Sequence, residues 1–132
     1  MAFPPSTKIL IVDDMLTMRK LVLSNLHELG YSDVVEALDG LDAWKKLTES
    51  TEQFGLIISD WNMPIMSGLE FLEKCKSDDK YKAIPFVMLT AEAEQFQVLE
   101  AVKKGVSNYI IKPFSPNTIK EKLLQAYKKH NR

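Results

Sequence analysis

Four short apolar segments of this chain each run into a side chain able to do chemistry. "KILIVDD" ends on Asp13 and Asp14, "GLIISD" on Asp60, "PFVMLT" on Thr90 and "NYIIK" on Lys112. Taken singly, each has an ordinary reading: an acid that caps a helix, a strand-end hydroxyl, a lysine that stretches to solvent. Taken together they pose an electrostatic problem. Three carboxylates drawn to within ~4 Å of one another repel by about 4 kcal/mol per pair at an effective dielectric of 20, so a pocket holds them only with protons or with a compensating cation. Hard oxygen donors, few in number and with no His or Cys among them, suit Mg²⁺, which takes one or two carboxylates, keeps several waters and accepts a phosphate oxygen. The chemistry this points to is a hard cation that meets a phosphate.

The elements that must carry these residues follow from periodicity. "KILIVDD" lacks polar alternation, as a strand covered on both faces does. "MLTMRKLVLSNLHELG" puts Met18, Val22, Leu26 and Leu29 on one helical stripe and stops at Gly30, a ready left-handed cap. "SDVVEAL" is a second strand, and "DGLDAWKKLTES" a second helix with Leu41, Trp44 and Leu47 on its apolar face. "FGLIISD" is the third strand, and Leu69, Leu72 and Cys75 mark the helix after it. "IPFVMLTA" makes a fourth strand, followed by a fourth helix on Phe96, Leu99 and Val102 that ends at Gly105. "NYIIKPF" is the fifth strand. Ser115 and Pro116 supply the cap and first turn of a last helix packed through Ile119, Leu123, Ala126 and Tyr127. Five strand–helix units without hairpin signals predict an α/β fold, a single doubly wound parallel sheet with helices on both faces. In such sheets ligands bind outside the carboxyl ends of the strands, where the winding reverses. Asp13, Asp14, Asp60, Thr90 and Lys112 all fall at that edge.

Composition narrows the function classes. At 132 residues, 45% hydrophobic and 27% charged, the sequence predicts a single domain over 1–132, with 1–7 a flexible tail. Seventeen Lys and Arg against eighteen Asp and Glu give a net charge of −1, which offers no attraction to nucleic acid. The basic run "KEKLLQAYKKHNR" fits a last helix whose cations complement its dipole. The single Cys75 cannot form an internal disulfide and reads as core lining; no segment has signal-peptide or membrane-spanning character, so a soluble, monomeric, cytoplasmic protein is expected. His27 and His130 are expected at helix surfaces. The five glycines form neither GxGxxG nor GxxxxGK, which argues against a nucleotide-binding module.

In order, the "VDD", "SDWNMP", "LTAEA" and "KPF" segments resemble the receiver domain of two-component response regulators, most closely its single-domain chemotaxis members, from about Lys8 to Lys128. The resemblance implies a flavodoxin-like sheet of order 2-1-3-4-5 flanked by five helices. It implies that Asp60 is the phosphoacceptor, that Asp13, Asp14, Asp60 and the carbonyl of Asn62 hold Mg²⁺, and that Thr90 and Lys112 contact the phosphoryl oxygens, with a cis bond at Pro113. Thr90 and Tyr109 would form the switch. A histidine kinase would be the donor, a flagellar motor switch protein or another signalling protein the output, and a phosphatase a further possible partner. The protein would not be an enzyme in its own right, beyond self-catalysed phosphorylation and slow autodephosphorylation. No output domain follows Arg132, so action by binding is expected. The partner surface would comprise Glu94, Gln95, Tyr109, Ile111 and Lys122, and Glu94 and Gln95 stand where two lysines are common in those relatives. A stand-alone receiver of another phosphorelay is the alternative. An aspartate-nucleophile phosphatase fits less well, because it wants acids two residues apart and Asp13 and Asp14 are adjacent.

Overall fold

The computed structural model describes residues 2–91, 99 and 101–130. Five strands, β1 (Ile9–Val12), β2 (Val34–Ala37), β3 (Leu56–Asp60), β4 (Phe86–Ala91) and β5 (Asn108–Lys112), form one parallel sheet in the order β2-β1-β3-β4-β5. Helices α1 (Leu16–Glu28), α2 (Gly40–Glu49) and α3 (Gly68–Lys76) connect them. Leu99 and residues 101–103 are also helical, and the C-terminal helix spans Pro116–His130.

The near-continuous apolar character of the strands has a direct cause. Leu10, Val12, Ile57, Phe86 and Met88 face a core completed by α2 and α3, whereas Ile9, Ile11, Leu56, Ile58, Val87 and Leu89 face another completed by α1 and the C-terminal helix. Alternate residues of the central strands are therefore buried on opposite faces, and few positions are left for a polar one. Register then aligns the strand ends: Asp60 pairs with Leu89, Thr90 with Ile111 and Ala91 with Lys112.

Caps fix where the helices begin. Asp39 accepts from Asp42 N at the start of α2, and Ser67 with Glu70 forms a reciprocal capping box at α3. Ser115 Oγ accepts from Thr118 N, as expected for the last helix. Gly30 and Gly105 close their helices at φ 98° and 97°, conformations that L side chains rarely adopt.

Two expectations about helix faces need correction. Leu41 is 50% exposed, and α2 instead buries Gly40, Ala43 and Leu47. The reason is the close approach of Gly40 to the β3–α3 loop, where its N–H donates to Met66 O, which turns Leu41 outward. Leu99 and Val102 are 60% and 50% exposed; the residue that meets the core there is Ala101. The tail expected over 1–7 contains a buried side chain, Phe3, whose ring packs edge-on against Tyr127 and whose carbonyl accepts from Tyr31 Oη. That contact anchors the segment to the C-terminal helix. Leu69 is only partly buried, and Phe71 joins Leu72 and Cys75 in the core. Cys75 is buried as expected, and burial pushes its thiol up to about 12, where it is inert at neutral pH. No helix among the described residues is long and apolar enough to cross a membrane.

Candidate functional site

The sheet edge brings together the residues that the sequence places at strand ends. Lys112 Nζ lies 2.6 Å from Asp60 Oδ1 and 4.0 Å from Asp13 Oδ2, across 52 residues of sequence in the first case. Among the described residues, Asp13, Asp14 and Asp60 form a group in which one carboxylate oxygen from each lies within 4.8 Å of the others. Asp13 and Asp60 are buried and Asp14 is exposed. Thr90, at the end of β4, is buried beside them in the sheet. Asn62 is exposed on the loop leaving β3, and the Lys112–Pro113 bond is cis.

Burial dominates the electrostatics. It raises Asp13 from its ordinary 3.8 to about 6, against the hydrogen bond from Met15 N, with the neighbouring Asp60 raising it further and Lys112 opposing. Burial also raises Asp60, although the hydrogen bond and charge of Lys112 pull the other way. Asp13 Oδ1 accepts from Met15 N at 2.9 Å, while Oδ2 is buried with no hydrogen-bond partner among the described residues. A buried acceptor left in that state is costly unless a ligand completes it. An all-oxygen donor set, two acids raised by burial and one orphaned carboxylate oxygen together fit a hard divalent cation such as Mg²⁺.

The described residues do not bring every candidate to this edge. Trp61, next to Asp60, is buried in the core that the sheet forms with α2 and α3. Tyr109 is half-buried on β5, with Lys122 Nζ 4.8 Å from its ring centroid, and Ile111 is exposed on the same strand. Glu94 and Gln95 lie outside the described residues. Two further residues hold the site from outside the strand-end pattern. Gly68 N donates to Trp61 O at 2.9 Å, and a Cβ added at Gly68 would meet Asp60 O at 2.1 Å. Arg19 is buried and donates to the carbonyl of Asp13. Its signal was present in the sequence: Arg19, Val22 and Leu26 share a helical face, so a cation sits on an apolar stripe.

The response regulator receiver domain model matches residues 9–124. The chain belongs to the receiver domain family. Chemotaxis protein CheY1 of Helicobacter pylori is 47% identical over 116 residues, which cover 88% of this chain and 93% of that protein. Chemotaxis protein CheY-3 of Vibrio cholerae is 43% identical over 122 residues, 92% of each chain. Among solved structures, the chemotaxis response regulator CheY4 of Vibrio cholerae superposes with a TM-score of 0.82 at 36% identity, covering 92% of this receiver and 98% of that chain. This receiver is thus a response regulator related to CheY chemotaxis proteins, and the family is not one of classical enzymes. Receiver domains of this kind bind Mg²⁺ in an acidic pocket, take phosphate from histidine kinases and signal to other proteins.

Proposed function

We propose that this receiver is a Mg²⁺-dependent phosphoacceptor, modified at Asp60, that works in chemotaxis by changing its binding partner. The observation that carries the reading is the Asp60 carboxylate held 2.6 Å from Lys112 Nζ, beside the orphaned Oδ2 of Asp13. The Asp60 carboxylate attacks the phosphorus of a kinase phosphohistidine; the P–N bond breaks, and the imidazole nitrogen leaves with the bonding pair. Lys112 stays within reach of the incoming phosphoryl oxygens as a point charge, and the Thr90 hydroxyl donates to another. Asp13, Asp14, Asp60 and the backbone carbonyl of Asn62 would hold Mg²⁺, which when bound offsets repulsion between the anionic nucleophile and the anionic phosphoryl group.

A phosphoryl group carries roughly −1.5 to −2 charges in place of the single charge of the carboxylate, and brings three acceptors. Thr90 is drawn toward it, Tyr109 moves into the space behind, and both rotamers of Tyr109 exist beforehand with their populations shifted. The face of Tyr109, Ile111 and Lys122 then meets a motor switch protein or another signalling partner. The chemotaxis names of the relatives support the motor reading. Glu94 and Gln95 favour the alternative, a receiver in another phosphorelay, because the acid repels an acidic partner and the neutral amide offers it no attraction.

The test is intact-mass analysis after treatment with a small phosphodonor and Mg²⁺. One phosphoryl group is expected on the parent chain and none on Asp60→Asn; an equal mass gain in the variant overturns the assignment.

A further inference from the structure

We propose that Arg19 is a positioning residue for the acid pair: its guanidinium, locked in place by Glu36, holds the main-chain carbonyl of Asp13 and so sets where the Asp13 carboxylate points. This inference rests on the metal set assigned above and adds a residue outside it.

The geometry is a two-sided clamp. Arg19 is 8% exposed, in the first turns of α1, and its Nη1 donates to Asp13 O at 2.9 Å. Its Nε donates to Glu36 Oε1 at 3.2 Å, and the second Glu36 oxygen accepts from Lys20 Nζ at 2.8 Å. Glu36 itself is fixed in β2, where it pairs with Ile11 of the neighbouring strand. Asp13 lies one residue beyond β1, where the ladder gives out. Its N–H still reaches Ala37 O at 3.1 Å, but its C=O has turned away from the sheet toward Arg19. With the peptide held on both sides and Oδ1 taken by Met15 N, Oδ2 is left buried and without a hydrogen-bond partner among the described residues, 4.0 Å from Lys112 Nζ.

Only an arginine bridges these acceptors as observed. Its planar fork offers separate nitrogens to a carbonyl and a carboxylate at once, whereas lysine brings a single nitrogen. The positive charge works against the proposed metal, since a buried cation near the acids repels Mg²⁺. That opposition supplies the test, because charge and positioning call for opposite signs. If Arg19 acted by charge alone, its removal would tighten Mg²⁺ binding. If it positions Asp13, removal weakens binding despite the lost repulsion.

The experiment is titration of the metal-free chain with MgCl₂, read by calorimetry and tryptophan fluorescence, for the parent, Arg19→Met, Arg19→Lys and Lys20→Met. Unfolding curves in chelator establish that each chain is folded at the titration temperature. Arg19→Met keeps the apolar stem, and Arg19→Lys keeps the charge and one contact, so the pair separates folding from positioning. Both are expected to weaken Mg²⁺ about tenfold, the scale seen when groups that orient metal ligands are lost. Lys20→Met removes the same unit charge from Glu36 without touching Asp13, and is expected to leave the affinity equal or slightly higher. Unchanged or tighter Mg²⁺ binding in both folded Arg19 variants overturns the positioning role while leaving the metal set intact. A parent chain with no saturable Mg²⁺ response overturns the metal set, and this inference with it.

Discussion

At the scale of single residues, the site works by keeping charges where water cannot relax them. Asp13 shows the cost most directly, being fully buried with one oxygen unpartnered. Its proton is held up to about 6 in the folded chain, from an ordinary 3.8. As pH rises across that window the unfolded chain releases the proton while the folded chain still keeps it, so the metal-free protein loses stability between about pH 4 and 6. Asp13→Asn lacks this exchange and retains an oxygen to accept from Met15 N. In chelator its stability advantage over the parent is expected to be small near pH 4 and to grow to at most about 3 kcal/mol above pH 6, the value of a two-unit shift. Urea midpoints for both chains at several pH values check this, and a gap that does not widen with pH counts against a buried charge. Adding MgCl₂ is expected to stabilise the parent and not the variant, since only a native state that binds the ion gains from it.

At the scale of elements, the acids owe their positions to where helices begin as much as to where strands end. The capping box of Ser67 and Glu70 starts α3, and Gly68 at its first turn lies against the last residue of β3. A methyl group there would meet Asp60 O at 2.1 Å and Met88 Sδ at 3.0 Å. Because the first of these is backbone, the helix start or the strand end must shift. Gly68→Ala is expected to cost about 1–3 kcal/mol, as overpacking does, and to slow phosphoryl incorporation at Asp60 by moving its main chain. Chemical unfolding together with a phosphorylation time course measures both, and parent-like values for the pair would show that the contact relaxes freely. The same logic explains α2, where the close fit of Gly40 to Met66 sets the helix rotation and sends Leu41 to solvent.

At the scale of the whole molecule, chemistry and proposed output meet at adjacent parts of one sheet: Asp60 on β3, Thr90 on β4, and Tyr109, Ile111 and Lys112 on β5. For the partner, the phosphorylated parent is expected to bind an acidic switch peptide several-fold more weakly than a Glu94→Lys, Gln95→Lys double variant, with the difference shrinking as salt rises. Equal affinities across ionic strengths would assign partner choice elsewhere. The sequence by itself determined the five strands, their parallel winding and the polar residues at the ends of four of them, because apolar runs and strand-end motifs are local patterns. Asp13, Asp14, Asp60, Thr90 and Lys112 were legible for that reason. Periodicity states the spacing of a helical face but not which neighbour that face meets. The outward turn of Leu41, Leu99 and Val102, the anchoring of Phe3 on Tyr127, the partners of Arg19 and the close fit of Gly68 were therefore decided only by the tertiary structure. Each depends on a contact between segments distant in sequence or on a backbone approach too close for a side chain, and neither is written in any local stretch of residues.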